Sequence, residues 1–269
     1  PLRCAWCQNP EGISPEIRVW YARNICAGCR ACVAACKESA IGWDERGAVI
    51  DQNACTRCGD CVKVCPTGAM RFDAREMSVT EALREIELDE AFYGADGGVT
   101  LSGGECMMSP DFSLAVLKGC RERGIGTNIE TCLYAKPETV DAFCEATDQI
   151  LADLKLIDSV RHKAATGADN ALILENFRRL AAKKANLVVR VPLIPGFTAD
   201  EENIEGIAAF VRSLNADFPV ELLNFNPMCR EKYESLRLTY RFRPDEREIP
   251  QETVRKLKAI LIDHGLIAR

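Results

Sequence analysis

The sequence predicts an α/β protein: a parallel sheet with helices packed outside it, interrupted near its start by a small cysteine-rich insert. Three observations predict this. From Ser78 onward, strand-like and helix-like stretches alternate with short connections, the pattern of a parallel sheet. Before Ser78 the cysteines crowd at gaps of two and three residues, a spacing that suits bound metal. The 269 residues, 47% of them hydrophobic, suffice for one large domain with a full core plus a small addition.

Residues 1–11 read as a loop carrying Cys4 and Cys7, punctuated by Asn9-Pro10-Glu11. Residues 12–77 form the insert, and within it 43–50, with Gly42 and Gly47, reads as a hairpin. The main domain is then 1–11 with 78–269. Ser78-Val79-Thr80-Glu81 has the form of a capping box and starts a helix to about residue 93. A strand over 98–102 runs into glycines. Ser109-Pro110-Asp111 opens a helix that ends at Gly124. Strand 127–130, helix 137–146, strand 149–156 and helix 170–184 follow. Strand 187–194 is stopped by Pro195-Gly196, and helix 200–214 leads to strand 220–225. Val254, Leu257, Ile260 and Leu261 mark a last amphipathic helix, ended by Gly265. About five βα units result. The pattern fits an open doubly wound sheet or a barrel, and in both the C-terminal ends of the strands are the expected site.

The insert holds one cysteine run twice: Cys26, Cys29, Cys32, Cys36, then Cys55, Cys58, Cys61, Cys65 before Pro66. Such a double run is how a chain holds two cubane iron–sulfur clusters, with the fourth cysteine of each run crossing to the other cluster. That assigns Cys26, Cys29, Cys32 and Cys65 to one cluster and Cys55, Cys58, Cys61 and Cys36 to its partner. Two structural zinc sites are the alternative, but zinc sites usually separate CxxC pairs by longer loops. A disulfide scaffold fits poorly, because disulfide-dense chains are short and secreted and these gaps are too tight to bridge. Metal-bound thiolates point to a reducing, cytoplasmic setting. A formal net charge of -6 gives no support to a nucleic-acid partner. No apolar run approaches the ~20 residues of a membrane span, and the start has no signal-peptide pattern.

The strand ends carry the candidate site. Ser102-Gly103-Gly104-Glu105 combines glycines that admit close backbone approach with acceptors suited to an ammonium group. Glu130 and Thr131 end the next strand, Asp153 and Lys155 the one after, and Arg190 lies on the fourth. A surface ion pair would also account for Asp153 and Lys155, but their apolar strand argues for burial, where charge must be paired. Arg190 and Asn203 are further pocket candidates, although Asn203 could simply decorate a helix. His162 reads as a solvated helix residue or a ligand, and His264 as a helix C-terminal residue. Cys120, Cys132, Cys144 and Cys229 read as small apolar residues, with Cys106, Met107 and Met108 as packing. The lone Cys4-Ala5-Trp6-Cys7 could be redox-active or half a metal site.

Residues 24–70 resemble the bacterial two-cluster ferredoxins, with Lys37 after Cys36 where proline is usual. Taken together, the motifs resemble the radical S-adenosylmethionine enzymes. Within them the chain is similar to the glycyl-radical-enzyme activating enzymes, pyruvate formate-lyase activating enzyme-like, of the branch with a two-cluster ferredoxin insert. The resemblance rests on Pro1-Leu2-Arg3-Cys4-Ala5-Trp6-Cys7-Gln8-Asn9-Pro10-Glu11, the double cysteine run and Val99-Thr100-Leu101-Ser102-Gly103-Gly104-Glu105. It continues through Asp153-Leu154-Lys155, His162-Lys163 before Thr166-Gly167, Arg190 to Gly196, and Asn224-Phe225-Asn226-Pro227 before Lys232-Tyr233.

The resemblance implies a partial (β/α)6 TIM-like barrel of the radical SAM type with an inserted α+β bacterial-ferredoxin-like domain. It implies a further strand and cysteine before Pro1, so that Cys4 and Cys7 serve a three-cysteine [4Fe-4S] cluster with one iron open to S-adenosyl-L-methionine. Three [4Fe-4S] clusters are then expected in all. Ser102 to Glu105 would hold the cofactor's amino group, and Lys155 its carboxylate. Glu130, Thr131 and Asp153 would form a monovalent cation site beside that carboxylate, and Arg190 and Asn203 would line the pocket. Cys106 stands where the family usually has proline. The implied activity is that of an oxidoreductase which cleaves the cofactor reductively and takes hydrogen from a backbone glycine of a partner glycyl radical enzyme, fed by a flavodoxin or ferredoxin-type donor. The alternatives are a radical maturase of another peptide, which would place its extra cysteines after the barrel, and a non-catalytic ferredoxin-type electron carrier, which would not need the strand-end motifs.

Overall fold

A computed structural model describes residues 2–95, 97–242 and 247–269, so Pro1, which opens the first cysteine motif, lies outside the described residues. The chain divides into two compact units. One comprises Pro1–Gln8, Ser78–Pro227 and Phe242–Arg269, the other Asn9–Met77 and Met228–Arg241.

The cysteine-rich unit carries, in order, β1 (Val19–Tyr21), α1 (Ala31–Ala35), β2 (Ile41–Asp44), β3 (Gly47–Ile50), α2 (Asp60–Lys63) and β4 (Met70–Phe72). β2 and β3 form the hairpin, pairing Ile41 with Ile50 and Asp44 with Gly47. β1 pairs antiparallel with β4. The sequence repeat is also a backbone repeat. Positive φ falls at Gly28 (70°), Arg30 (58°) and Ser39 (52°), and again at Arg57 (60°), Gly59 (79°) and Gly68 (70°). The left-handed turns follow the cysteines whether or not glycine occupies them, and an L-residue there costs about 1–2 kcal/mol. The geometry around the sulfurs therefore outweighs local preference. At Gly47 (φ +99°) an added Cβ would lie 2.1 Å from the Tyr21 hydroxyl, so only glycine fits the hairpin turn.

The larger unit begins with α3 (Val79–Leu88), where Ser78 and Glu81 make a full capping box. The chain pauses at Asp89 before α4 (Glu90–Tyr93), so the single helix expected to residue 93 is two. The alternation then runs β5 (Gly98–Leu101), α5 (Pro110–Glu122), β6 (Gly126–Thr131), α6 (Pro137–Ala146), β7 (Gln149–Asp153), α7 (Ser159–Thr166), α8 (Ala171–Ala182), β8 (Leu187–Leu193), α9 (Glu201–Ser213) and β9 (Val220–Asn224). Proline in the first turn preorganises α5 and α6. α10 (Arg230–Ser235) belongs to the cysteine-rich unit, where Lys232 pairs with Glu11 at 2.6 Å and Arg237 grips Asp44. α11 (Gln251–Asp263) closes the larger unit.

The five strands β5 to β9 are all parallel and lie in sequence order. For sequential parallel strands the right-handed crossover rule puts the connecting helices on one face. The order does not reverse as it would in a doubly wound sheet. The sheet is thus wound in one direction, with five strands among the described residues. Ile129, Ile150, Ala152, Val189 and Val191 pack in one core with Phe143, Phe177, Leu180, Ile207 and Leu261 of the helices. Asn176 on α8 crosses this core to donate to Leu133 O and Ala135 O, both at 2.9 Å, fixing the chain after β6.

Phe177 is fully buried in this core. Phe177→Ala should lower unfolding stability by about 3–5 kcal/mol, read from urea denaturation. A loss below about 1 kcal/mol would contradict the packing described.

Candidate functional site

One face of the sheet carries a cluster of charged and polar side chains near the strand ends. Along β6, Thr127, Ile129 and Thr131 are buried, whereas Asn128 and Glu130 are only half-buried. Pairing register sets Asp153 beside Arg190 and Arg190 beside Glu221, and paired residues of a parallel sheet share a face. The Arg190 guanidinium reaches Glu130 at 2.6 Å and Glu221 at 3.5 Å. Ser102 donates to the other oxygen of Glu130 at 2.6 Å. Burial alone would raise the Glu130 carboxyl, but the Ser102 and Arg190 hydrogen bonds hold it below the ordinary carboxylate value. Ser102, Glu130 and Arg190 are therefore one linked group.

A second group surrounds Lys155. Its ammonium is buried and meets Asp153 at 2.5 Å. Burial would depress its pKa, but Asp153, Cys4 and Cys132 raise it above the ordinary lysine value. Cys4 feels the reverse: burial pushes its thiol up while Lys155 pulls it down. Cys132 is pushed up by burial and by Glu105, and Lys155 opposes the rise. The Glu105 carboxylate accepts from Cys132 N at 2.9 Å and Met107 N at 3.2 Å, and lies 3.7 Å from the Cys106 thiol. The structure thus links Cys4, Lys155, Asp153, Cys132 and Glu105 through neighbouring charges.

The loop bearing Cys4 and Cys7 is tightly held. Cys7 N donates to Cys4 O at 3.1 Å, closing a turn. Arg3 N donates to Thr166 O at 2.7 Å and Ala5 N to Ala165 O at 2.9 Å. Trp6 is buried, its ring 5.1 Å from that of Phe197, and Gln8 donates to Asn226 O at 2.9 Å. After β5, Gly103 (φ +101°) turns the exposed Ser102–Gly104 segment, where nothing lies within 4 Å of a would-be Cβ at Gly103.

Other candidates spend their polar atoms elsewhere. Asn203 is buried, accepts from Ile157 N at 3.0 Å and donates to Lys155 O and Thr198 O, both at 3.1 Å. It tethers the chain after β7. Thr131 accepts from Leu133 N at 3.0 Å and contacts the Met107 sulfur. Glu130, Thr131 and Asp153 each have a different partner. His162 is no solvated residue: it is buried, its Nδ1 2.7 Å from Ala168 O. Burial holds its pKa below the ordinary histidine value. Met108, taken as packing, is half-exposed, while Met107 is buried. Cys132, read from sequence as a small apolar residue, stands beside Glu105 and Lys155, and Glu221, which pairs with Arg190, was not among the sequence candidates. The position of Cys132 just after the β6 tip was the available signal.

In the cysteine-rich unit, Cys36, Cys55, Cys58 and Cys61 line one cleft. Burial first, then the neighbouring Cys55, Cys58 and Cys36, push Cys61 up to about 11. Burial likewise raises Cys32, whose thiol neighbours are Cys26 and Cys65. Backbone amides point at sulfur: Gly28 N at Cys26, Ala40 N at Cys36 and Met70 N at Cys65, each at 3.3 Å. No disulfide joins the described cysteines. Among the described residues no three His, Cys, Asp or Glu side chains converge on the space of one bare ion.

Comparison with known proteins places these features in a family. Residues 1–205 match the Radical SAM superfamily. The trans-4-hydroxy-L-proline dehydratase activating enzyme of Clostridioides difficile is 39% identical, over 97% of this chain and 86% of that protein. The choline trimethylamine-lyase activating enzyme of Oleidesulfovibrio alaskensis is 38% identical, over 89% of this chain and 80% of its own. A solved domain of pyruvate-formate lyase-activating enzyme from Bacteroides vulgatus is 34% identical with a TM-score of 0.54, covering 64% of this chain and 97% of that domain.

Glu130 supplies a pH test of this site. Its stabilising bonds need the carboxylate, so their contribution is complete above the ordinary value near 4.3 and is lost as pH falls through its lowered folded value. Glu130→Gln should reduce stability at pH 7 by about 1–2 kcal/mol. The gap to wild type should narrow by pH 3 in thermal unfolding. An equal gap at both pH values would contradict the Ser102–Glu130–Arg190 bonding.

Proposed function

Because this chain belongs to the radical SAM superfamily, and within it to the glycyl-radical-enzyme activating enzymes, we propose that it activates a partner glycyl radical enzyme by reductive cleavage of S-adenosyl-L-methionine. The observation that carries the reading is the Cys4 thiol set beside buried Lys155 and its ion-pair partner Asp153 at the tips of parallel strands. A [4Fe-4S] cluster held through Cys4 and Cys7 would supply the electron that splits the sulfonium, yielding the carbon radical that takes hydrogen from a glycine α-carbon of the partner.

The chain's own residues bind and orient. Lys155 offers a buried cation to the cofactor carboxylate, and its stored partner Asp153 keeps that cation charged before the cofactor arrives. Ser102, Gly103 and Gly104 leave an exposed, side-chain-poor backbone edge for the cofactor's ammonium group. Glu105 braces that edge against the β6 tip through Cys132 N. Arg190 and Glu130 line the same face. Asn203 sets the chain that carries Lys155. A monovalent cation beside the carboxylate would draw on Glu130, Thr131 and Asp153, in competition with their present partners. A sixth strand would complete the partial barrel that the resemblance implies.

For the cysteine-rich unit we propose a ferredoxin-like insert with two further [4Fe-4S] clusters, one on Cys26, Cys29, Cys32 and Cys65, the other on Cys55, Cys58, Cys61 and Cys36. The cleft lined by Cys36, Cys55, Cys58 and Cys61 supports the crossed assignment, as does the nearness of Cys65 to Cys32. The small core of this unit includes Cys32 and Cys61 themselves, so ligation of their sulfurs would add to its stability. The insert would relay single electrons or shape the docking face for the partner. A flavodoxin or ferredoxin-type donor in the cytoplasm completes the scheme. Among the described residues no helix is long and apolar enough to cross a membrane. The relatives are named for partners as different as a dehydratase, a lyase and a decarboxylase, so the partner is proposed here only as a class.

Anaerobically reconstituted full-length protein with reductant should form 5′-deoxyadenosine from S-adenosyl-L-methionine. No product with intact clusters would contradict the reading. Lys155→Met should weaken cofactor binding by about 10–100-fold, the worth of one charged hydrogen bond, measured by titration. Unchanged affinity would remove Lys155 from the pocket. Cys58→Ala should lower bound iron by about four per chain, with the cofactor-induced change of the cluster spectrum retained. Undiminished iron would contradict the insert assignment.

A further inference from the structure

The His162-x3-Thr166-Gly167 motif is absorbed by no step above, yet its residues touch the cysteine loop. α7 ends at Thr166, so the Ala165 and Thr166 carbonyls have no partners within the helix. They accept instead from Ala5 N at 2.9 Å and Arg3 N at 2.7 Å, the two amides that flank Cys4. The aim of these carbonyls depends on how the helix stops. Gly167 turns left-handed (φ +87°), its N–H donating to Lys163 O at 2.9 Å. Beyond it the chain is caught by His162, whose Nδ1 lies 2.7 Å from Ala168 O. A carbonyl only accepts, so Nδ1 carries the proton. The Thr166 hydroxyl donates to His162 O at 2.8 Å and lies 3.1 Å from Nδ1. His162 and Thr166 are both 1% exposed, so water does not replace these bonds.

We propose that His162 is a positioning residue for the Cys4 loop: by locking Ala168 behind the Gly167 turn it holds the Ala165 and Thr166 carbonyls toward the backbone on either side of Cys4, and so holds the Cys4 thiol against Lys155. The link to Lys155 is direct on the other side as well. Asn170, buried at the start of α8, donates to Leu156 O at 3.0 Å and Ile157 O at 2.8 Å, just after Lys155. One short stretch, from His162 to Asn170, therefore anchors both the cysteine loop and the lysine it faces. The proposal rests on the reading of Cys4 as a cluster ligand.

The test uses reconstituted full-length protein. Hydrogen exchange of the peptide covering residues 2–8 is followed by mass spectrometry in wild type, His162→Ala and His162→Asn, whose amide can still donate to Ala168 O. His162→Ala should speed exchange at Arg3 and Ala5 about tenfold while β7 and β8 stay protected. It should also blunt the cluster-spectrum change on adding S-adenosyl-L-methionine, and His162→Asn should restore both. Unchanged exchange at Arg3 and Ala5 in His162→Ala would overturn the proposal, as would equal acceleration throughout the sheet. Cys4→Ser separates the underlying reading. If the spectral change survives in Cys4→Ser while His162→Ala still frees the loop, the anchoring stands and only the ligand assignment falls.

Discussion

The pairing of buried Lys155 with half-buried Asp153 is the constraint around which the larger unit is arranged. An ammonium taken out of water is tolerated only when a counter-charge and hydrogen bonds replace its hydration. Asp153 supplies the counter-charge at the last position of β7. The chain after it cannot relax, because Asn203 and Asn170 tie its backbone to neighbouring elements. With the lysine pinned, Cys4 and Cys132 sit in its field. Burial holds the Cys4 thiol above its ordinary value, and Lys155 offsets only part of that rise, whereas thiolate is the form that ligates metal. An anionic cofactor group would find the same cation ready and already desolvated, so little reorganisation would accompany binding.

The sheet can present that pair because it is wound one way. Helices of the larger unit supply the apolar core against one face, and the register brings Asp153, Arg190 and Glu221 together on neighbouring strands, with Arg190 also reaching Glu130. Alternating side-chain direction makes the division strict: a slip of one residue in β7 would send Asp153 toward the helices and Ala152 toward the site. The core residues Ile150 and Ala152 thus fix the register on which the site depends. The cysteine-rich unit obeys a different logic. Its regular elements are short, its backbone takes left-handed turns beside the sulfurs, and its thiols form part of the core.

Much of this was legible in the sequence. Helices α5 and α6 announce themselves by Pro110 and Pro137, α3 by its capping box, and β8 by its β-branched run, so these elements lie where the pattern puts them. Apolar flanks around Asp153 and Lys155 pointed to burial, which holds for Lys155, while Asp153 is one-third exposed. α7 and α10 were harder. They are short, and neither has a strong apolar stripe to mark a helix. His162 escaped for a related reason. Its burial depends on Thr166 and Ala168 folding back over it, which polar spacing does not reveal. The choice between doubly wound and singly wound sheets was also closed to sequence, since both share one alternation and differ only in spatial order. Cys132 looked like an ordinary small residue, and only its place past the β6 tip, beside Glu105, sets it apart.

The central claim is that the loop of Cys4 and Cys7 carries a cluster that meets S-adenosyl-L-methionine beside Lys155. Pulsed electron paramagnetic resonance on reduced, reconstituted protein mixed with cofactor labelled in its amino nitrogen and carboxylate oxygen tests this most directly. The account predicts hyperfine coupling of both labelled atoms to one cluster, lost when Cys4 is replaced. Absence of that coupling in protein with its clusters intact and cofactor present in excess would contradict it.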